Sequence, residues 1–179
     1  MVGTIFGAPK TVMFCGQSCY ERKLIIQRRS GDVDRVPVLL QSEVEEGERV
    51  WLSGYVVSAN DTTRHLHHFV CATHFAERYE GKDENEVELI GYICNAPIYR
   101  RTPNGREITE IFLAAQRGEG DASYIPCIAW GKVARRARKL HTGDCIRLIG
   151  RLQSRKYTKG NCEREINEVS ITTFEKEGV

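Results

Sequence analysis

The chain has 179 residues, 41% of them hydrophobic and 28% charged, with 16 Gly and 5 Pro, a composition that excludes disordered and collagen-like chains. No stretch approaches the roughly 18 consecutive apolar residues of a membrane span, and the opening MVGTIFGAPK lacks a basic segment leading into a long apolar run. Seven Cys at irregular positions complete the expectation of a cytosolic protein with reduced thiols.

The 26 Lys and Arg nearly balance 24 Asp and Glu, but residues 1–85 carry a net of −2 and residues 86–179 a net of +4. Within residues 131–160 ten basic residues stand against one acid, Asp144. Such a run predicts a polyanionic partner or, more plainly, a solvated charged face.

The chain is written twice. GTIFGAP at 3–9 returns as GYICNAP at 91–97, and Leu24 to Leu40 lies over Leu113 to Ala129 without a gap. GERVWLSG from Gly47 matches GDCIRLIG from Gly143, and Val70 and Phe75 match Val169 and Phe174. Four blocks in one order predict two copies of one domain. The expected boundaries are 1–79 for the first copy, 80–86 (EGKDENE) for a linker, and 87–179 for the second copy.

Each copy reads as mostly strand. In the second, Val87 to Cys94, Ile108 to Gln116, Tyr124 to Trp130, Cys145 to Gln153 and Glu165 to Phe174 are rich in β-branched and apolar residues, with Asn104-Gly105 as a hairpin turn. The insertion WGKVARRARKLHTG, absent from the first copy, places Val133, Ala137 and Leu140 on one helical stripe with Gly143 as a stop. The expected fold class is all-β: two tandem five-stranded Greek-key barrels of the OB type, the second with a helix between its third and fourth strands.

Period 2 along the fourth strand sends Ile146, Leu148, Gly150 and Leu152 to one side and Arg147, Ile149, Arg151 and Gln153 to the other, with Arg155 and Tyr157 continuing outward. A row of cations ending in an aromatic suits single-stranded nucleic acid, because cations track phosphates while flat rings stack on unpaired bases. Tyr124 and Trp130 bracket the third strand and read equally well as half-buried core or as exposed platforms.

The runs NEVELIGYICNAPIYRRTPNGREITEIFLAAQRG, YIPCIAWGKVA, GDCIRLIGRLQSRKYT and INEVSITTFE closely resemble the bacterial single-stranded DNA-binding protein family over about residues 85–176. The resemblance implies a non-enzymatic OB fold that binds single-stranded DNA with little sequence preference during replication, recombination and repair, in the cytoplasm and associated with the nucleoid. It implies that Tyr124, Trp130 and Tyr157 stack on bases and that Arg100, Arg101, Lys132, Arg151, Arg155 and Lys156 contact phosphate. Tandem forms of the family dimerise, which implies a homodimer holding four OB domains. The family's flexible tail with an acidic, Phe-terminated tip has no counterpart in FEKEGV, so tail-mediated recruitment of repair proteins is not expected. The loop RGEGDAS, short for the family, leaves one stacking contact fewer.

In the first copy the counterparts of Tyr124 and Trp130 are Arg35 and Gln41, and that of Tyr157 lies near Asp61. A mainly structural role follows for it, with Arg28, Arg29 and Arg35 as residual phosphate contacts. His65, His67, His68 and His74 near Cys71, and Cys15 with Cys19, fit no standard zinc spacing, so neither a metal nor another cofactor is expected. No phosphate loop, nucleophile elbow or H-E-x-x-H helix occurs. The competing class is an OB-fold protein-interaction module of a primosome or mobile-element complex.

Overall fold

The computed structural model describes residues 1–60, 66–118, 121–159 and 162–178, and the chain divides into two compact units, Met1–Asn85 and Glu86–Val179. No helix among the described residues is long and apolar enough to cross a membrane.

The first unit runs β1 (Val2–Phe14), β2 (Gln17–Gln27), β3 (Val33–Leu40), β4 (Arg49–Asn60) and β5 (Leu66–Glu77). They close into a barrel in the order β1-β2-β3-β5-β4, with β3 and β5 parallel and the other neighbours antiparallel. Alternation along β2 and β3 turns Leu24, Ile26, Val36 and Val38, each at most 2% exposed, into the barrel. The β3–β4 connection contains no helix; its Val44 is buried, and the Val44 carbonyl accepts a 2.7 Å hydrogen bond from Arg22, which is buried as well. Glu84 exchanges backbone hydrogen bonds with Val2 at 2.7 and 3.1 Å, and Asp83 lies 2.6 Å from Arg49. The acidic run that composition marks as linker is therefore strapped to the first barrel up to Asn85.

The second unit runs β6 (Val87–Ile93), β7 (Ile98–Arg101), β8 (Glu107–Gly118), β9 (Asp121–Trp130), α1 (Gly131–Ala137), β10 (Cys145–Lys159) and β11 (Cys162–Lys176). The order β6-β10-β11-β9-β8 is closed by the pairing of β6 with β8, and β9 and β11 are parallel. This is the topology of the first unit, strand for strand. The short β7 extends the outer edge of β8 through the turn at Thr102–Arg106, where Gly105 donates to the Thr102 carbonyl at 2.8 Å.

Helix α1 stands between the third and fourth barrel strands, but its buried stripe is Ala134, Ala137 and Leu140 rather than Val133, Ala137 and Leu140. The last turn tightens, with Leu140 donating to the Ala137 carbonyl, which brings residues three apart onto one face. Thr109, fully buried on β8, donates to the Ala134 carbonyl at 2.8 Å and ties the helix to the barrel.

Candidate nucleic-acid interface

Along β9 the residues Ser123, Ile125, Cys127 and Ala129 are at most 2% exposed, so Tyr124, Pro126, Ile128 and Trp130 take the opposite face, where Ile128 alone is fully covered, at 1%. Tyr124 is 47% exposed and Trp130 is half-buried. Trp130 is also the residue before α1, held extended at φ −120° and ψ 145°, so strand and helix meet at its backbone.

Cross-strand register orders this face into rows, since directly paired residues share a side of the sheet. Trp130 pairs with Ile108, and Ile108 with Arg100, so Trp130 and Arg100 flank one buried isoleucine. Arg100 is ion-paired with Glu110. Arg101, the next residue on β7, points the other way: it pairs with Glu107, alongside Tyr99, whose hydroxyl donates to Glu107 at 2.5 Å. That Tyr99 hydrogen bond, with the nearby Arg135 and Arg101, holds the Glu107 carboxyl below its usual range. Two adjacent arginines thus serve opposite faces of the β7–β8 ribbon.

Lys132, exposed, stands two residues beyond Trp130 in the first turn of α1. The other helix cations are engaged: Arg135 pairs with Glu107, the Arg136 guanidinium sits 4.8 Å over the Phe174 ring, and that of Arg138 sits 5.1 Å over Tyr99.

On β10 the inner set is buried, Ile146 and Leu148 at 0% and Leu152 at 2%, but the outer set is not a continuous row of open cations. Arg147 pairs with Glu88 and with Glu177. Further along, Arg151 donates to the Gln153 side-chain oxygen at 3.1 Å, the Gln153 amide donates to Glu168 at 2.8 Å, and Arg155 donates to both Glu168 oxygens at 2.9 and 3.2 Å. Lys156 and Tyr157 continue β10, with backbones opposite Glu165 and Arg164; their side chains lie outside the described residues.

Phe112, on the face of β8 that carries Tyr124, stacks on the Tyr124 ring with centroids 6.1 Å apart and planes 21° from parallel. Sequence reasoning missed it. The signal was its even spacing from Ala114, which register pairs with Tyr124.

In the first unit Arg35 occupies the Tyr124 position, paired with Ile25, and Gln41 follows β3 exposed. Arg28 is committed to Asp34 and Asp32, which raises its pKa chiefly through the Asp34 hydrogen bond. Asp61 lies outside the described residues, as does His65. Among the described residues no group of three or more His, Cys, Asp or Glu is placed to hold a metal ion, and Cys15, Cys19, Cys71, Cys94, Cys127 and Cys145 are free thiols.

A family model described as the single-strand binding protein family matches residues 84–176. The chain is 32% identical over 105 residues to a single-stranded DNA-binding protein of Halalkalibacterium halodurans, covering 52% of this chain and 62% of that protein. It is 33% identical over 102 residues to single-stranded DNA-binding protein A of Bacillus subtilis, covering 53% and 57%. The chain thus spans about six-tenths of the length of these relatives. A crystal structure of the wild-type single-stranded DNA binding protein from Thermus aquaticus superposes with a TM-score of 0.76 at 21% identity, covering 99% of this chain and 91% of that one, which shows a shared fold over both units. The family match takes in more than half of the chain, and the chain belongs to the single-strand binding protein family.

Proposed function

We propose that this chain is a non-enzymatic binder of single-stranded DNA with little sequence preference, acting in replication, recombination and repair in the bacterial cytoplasm. The second unit supplies most of the contacts. The observation that carries this reading is the outer face of β9, where Tyr124 and Trp130 stand about 20 Å apart, six residues at roughly 3.3 Å each, with Arg100 across from Trp130 and Lys132 beside it. Bases stack on the rings and phosphates pass the cations. Tyr157 and Lys156 extend the track along β10, Arg101 and Arg151 reinforce the surrounding potential, and Arg155 stands beside the track paired with Glu168. The first unit fills a barrel position, and two chains associate to bring four barrels together.

Titration with oligo-dT tests the proposal. Binding quenches intrinsic fluorescence, weakens with salt by about 0.7 in the log–log slope per phosphate contacted, and falls when Trp130 or Tyr124 is changed to Ala. Absence of quenching at low salt overturns it. Light scattering on the same protein tests the dimer, and a monomer mass refutes that part.

A further inference from the structure

Three strands of the second barrel bring a second tyrosine into line with Tyr124. Tyr92 on β6 pairs with Ala114 on β8, and Ala114 pairs with Tyr124 on β9. Directly paired residues project from the same side of a sheet, so one row reads tyrosine, alanine, tyrosine. Tyr92 is 52% exposed and Tyr124 47%. Both rings meet solvent, and the residue between them is the smallest side chain that still carries a Cβ.

We propose that Tyr92 and Tyr124 wall a slot, floored by Ala114, that receives two adjacent unpaired bases of one strand. This rests on the reading of the same face as a single-stranded DNA site and adds to it a residue, a size and a stoichiometry. Two interstrand steps of about 4.8 Å separate the walls by roughly 10 Å. Stacked bases repeat at about 3.4 Å, and three such intervals, ring to base, base to base and base to ring, also come to roughly 10 Å. A larger floor residue takes up the height that the inner edges of the bases need.

Two features hold the walls in place. Gly91 precedes Tyr92, and a Cβ built on it stands 2.3 Å from the Ala114 carbonyl oxygen; β6 approaches β8 at this row only because residue 91 has no side chain. Phe112, half-buried two residues along β8 from Ala114, stacks on the Tyr124 ring and limits its rotation.

The first barrel supplies an internal comparison at identical register. There the row reads Thr4, Ile25, Arg35, with Thr4 paired to Ile25 and Ile25 to Arg35. Both walls have lost their rings, and a branched side chain occupies the floor. The scaffold is the same and the slot is absent.

The test uses the full chain with oligo-dT and three substitutions on the outer face, Tyr92→Ala, Tyr92→Phe and Ala114→Ile, with Trp130→Ala as reference and thermal midpoints to verify folding. Tyr92→Ala and Ala114→Ile are expected to weaken binding roughly five- to 150-fold, the span of losing one stacked base, while the salt slope stays unchanged because no phosphate contact is removed. Tyr92→Phe keeps the ring and binds like the parent. If the parent binds and Trp130→Ala weakens it, yet Tyr92→Ala and Ala114→Ile stay within twofold of the parent, the slot is wrong and the broader reading stands. If the parent fails to bind oligo-dT at low salt, the broader reading falls and the slot with it. A lower particle mass for Tyr92→Ala assigns Tyr92 to a chain-to-chain contact and overturns the slot.

Discussion

Removing the carboxylate of Glu168 should destabilise the second barrel and, at the same time, strengthen its attraction for polyanions. The Glu168 side chain is 4% exposed and accepts from Arg155, whose side chain is 37% exposed. It also accepts from the Gln153 amide at 2.8 Å, and Gln153 is itself 5% exposed. In Glu168→Ala the Gln153 amide loses its acceptor in a buried place, at about 1–3 kcal/mol. Arg155 reaches water, so its share is that of a surface pair, no more than about 1 kcal/mol, and relief of the buried carboxylate's own desolvation offsets part of the total. A net loss of about 2 kcal/mol lowers the unfolding midpoint of a unit of this size by roughly 8–16 °C. Glu168→Gln retains an acceptor for Gln153 and should cost about 1 kcal/mol or less. Both variants remove one negative charge beside Arg155, so both should bind oligo-dT more tightly than the parent at low salt, the gain fading as salt screens it. Thermal unfolding and salt-dependent titration read the two effects separately. An Ala variant that melts within about 2 °C of the parent, or either variant binding oligo-dT no more tightly than the parent at low salt, refutes the network as described.

Thr109→Val removes the hydrogen bond that ties α1 to the barrel while keeping the shape, and should cost about 1 kcal/mol; an unchanged denaturation midpoint would show that the helix is held by packing alone. Burial first, then the Glu168 carboxylate and Cys94, push the Cys127 thiol well above its usual range, whereas Cys15 is exposed. A thiol reagent at pH 8 should therefore label Cys15 and spare Cys127 until the chain unfolds, and mass mapping of the adducts shows which occurs. The Lys176 hydrogen bond and the His141 amide hold Asp144 below its ordinary 3.8, and the Tyr99 and Arg135 contacts hold Glu107 below 4.5. Carboxyls depressed in the folded state support it above those ordinary values and cease to do so as pH falls through the folded ones. Urea midpoints should accordingly drop below about pH 4, and a flat profile between pH 5 and 3 contradicts the assignment.

Much of the fold is legible in the sequence because its signals are local or repeated. The two copies, the strands of the second one and the helix after Trp130 follow from pattern and from self-similarity. The missed elements depend on what approaches from elsewhere in the chain. Four residues of β7 carry too short a pattern to register, and become a strand because β8 offers them an edge. The cationic run at 131–160 reads as one patch, yet Arg135 meets Glu107, Arg147 meets Glu88, and Arg155 meets Glu168. Those acids stand on other strands, so composition within a window counts the positive charge and misses its neutralisation. Arg100 and Arg101 separate for a related reason: being consecutive on a strand, they cannot share a face.

The comparison of the two copies separates what the barrel requires from what the site requires. In both, a glycine on the first strand lets its neighbour close in: a Cβ at Gly3 stands 2.5 Å from the Ile25 carbonyl oxygen, and one at Gly91 stands 2.3 Å from that of Ala114. In both, the fourth strand has a register shift at a glycine, Gly54 and Gly150, whose added Cβ meets a carbonyl oxygen of the fifth strand at 2.0 and 2.4 Å. Inward positions stay apolar in each, as Leu24 and Leu113 do at 0% exposure. The outer row, by contrast, changes from Thr4, Ile25 and Arg35 to Tyr92, Ala114 and Tyr124. Outward positions of a closed barrel contribute little to its stability and are free to vary, so aromatic rings on that row in only one copy have no structural cause in the barrel itself. The DNA-binding face proposed for the second unit accounts for them, and the first unit offers no ring on that row.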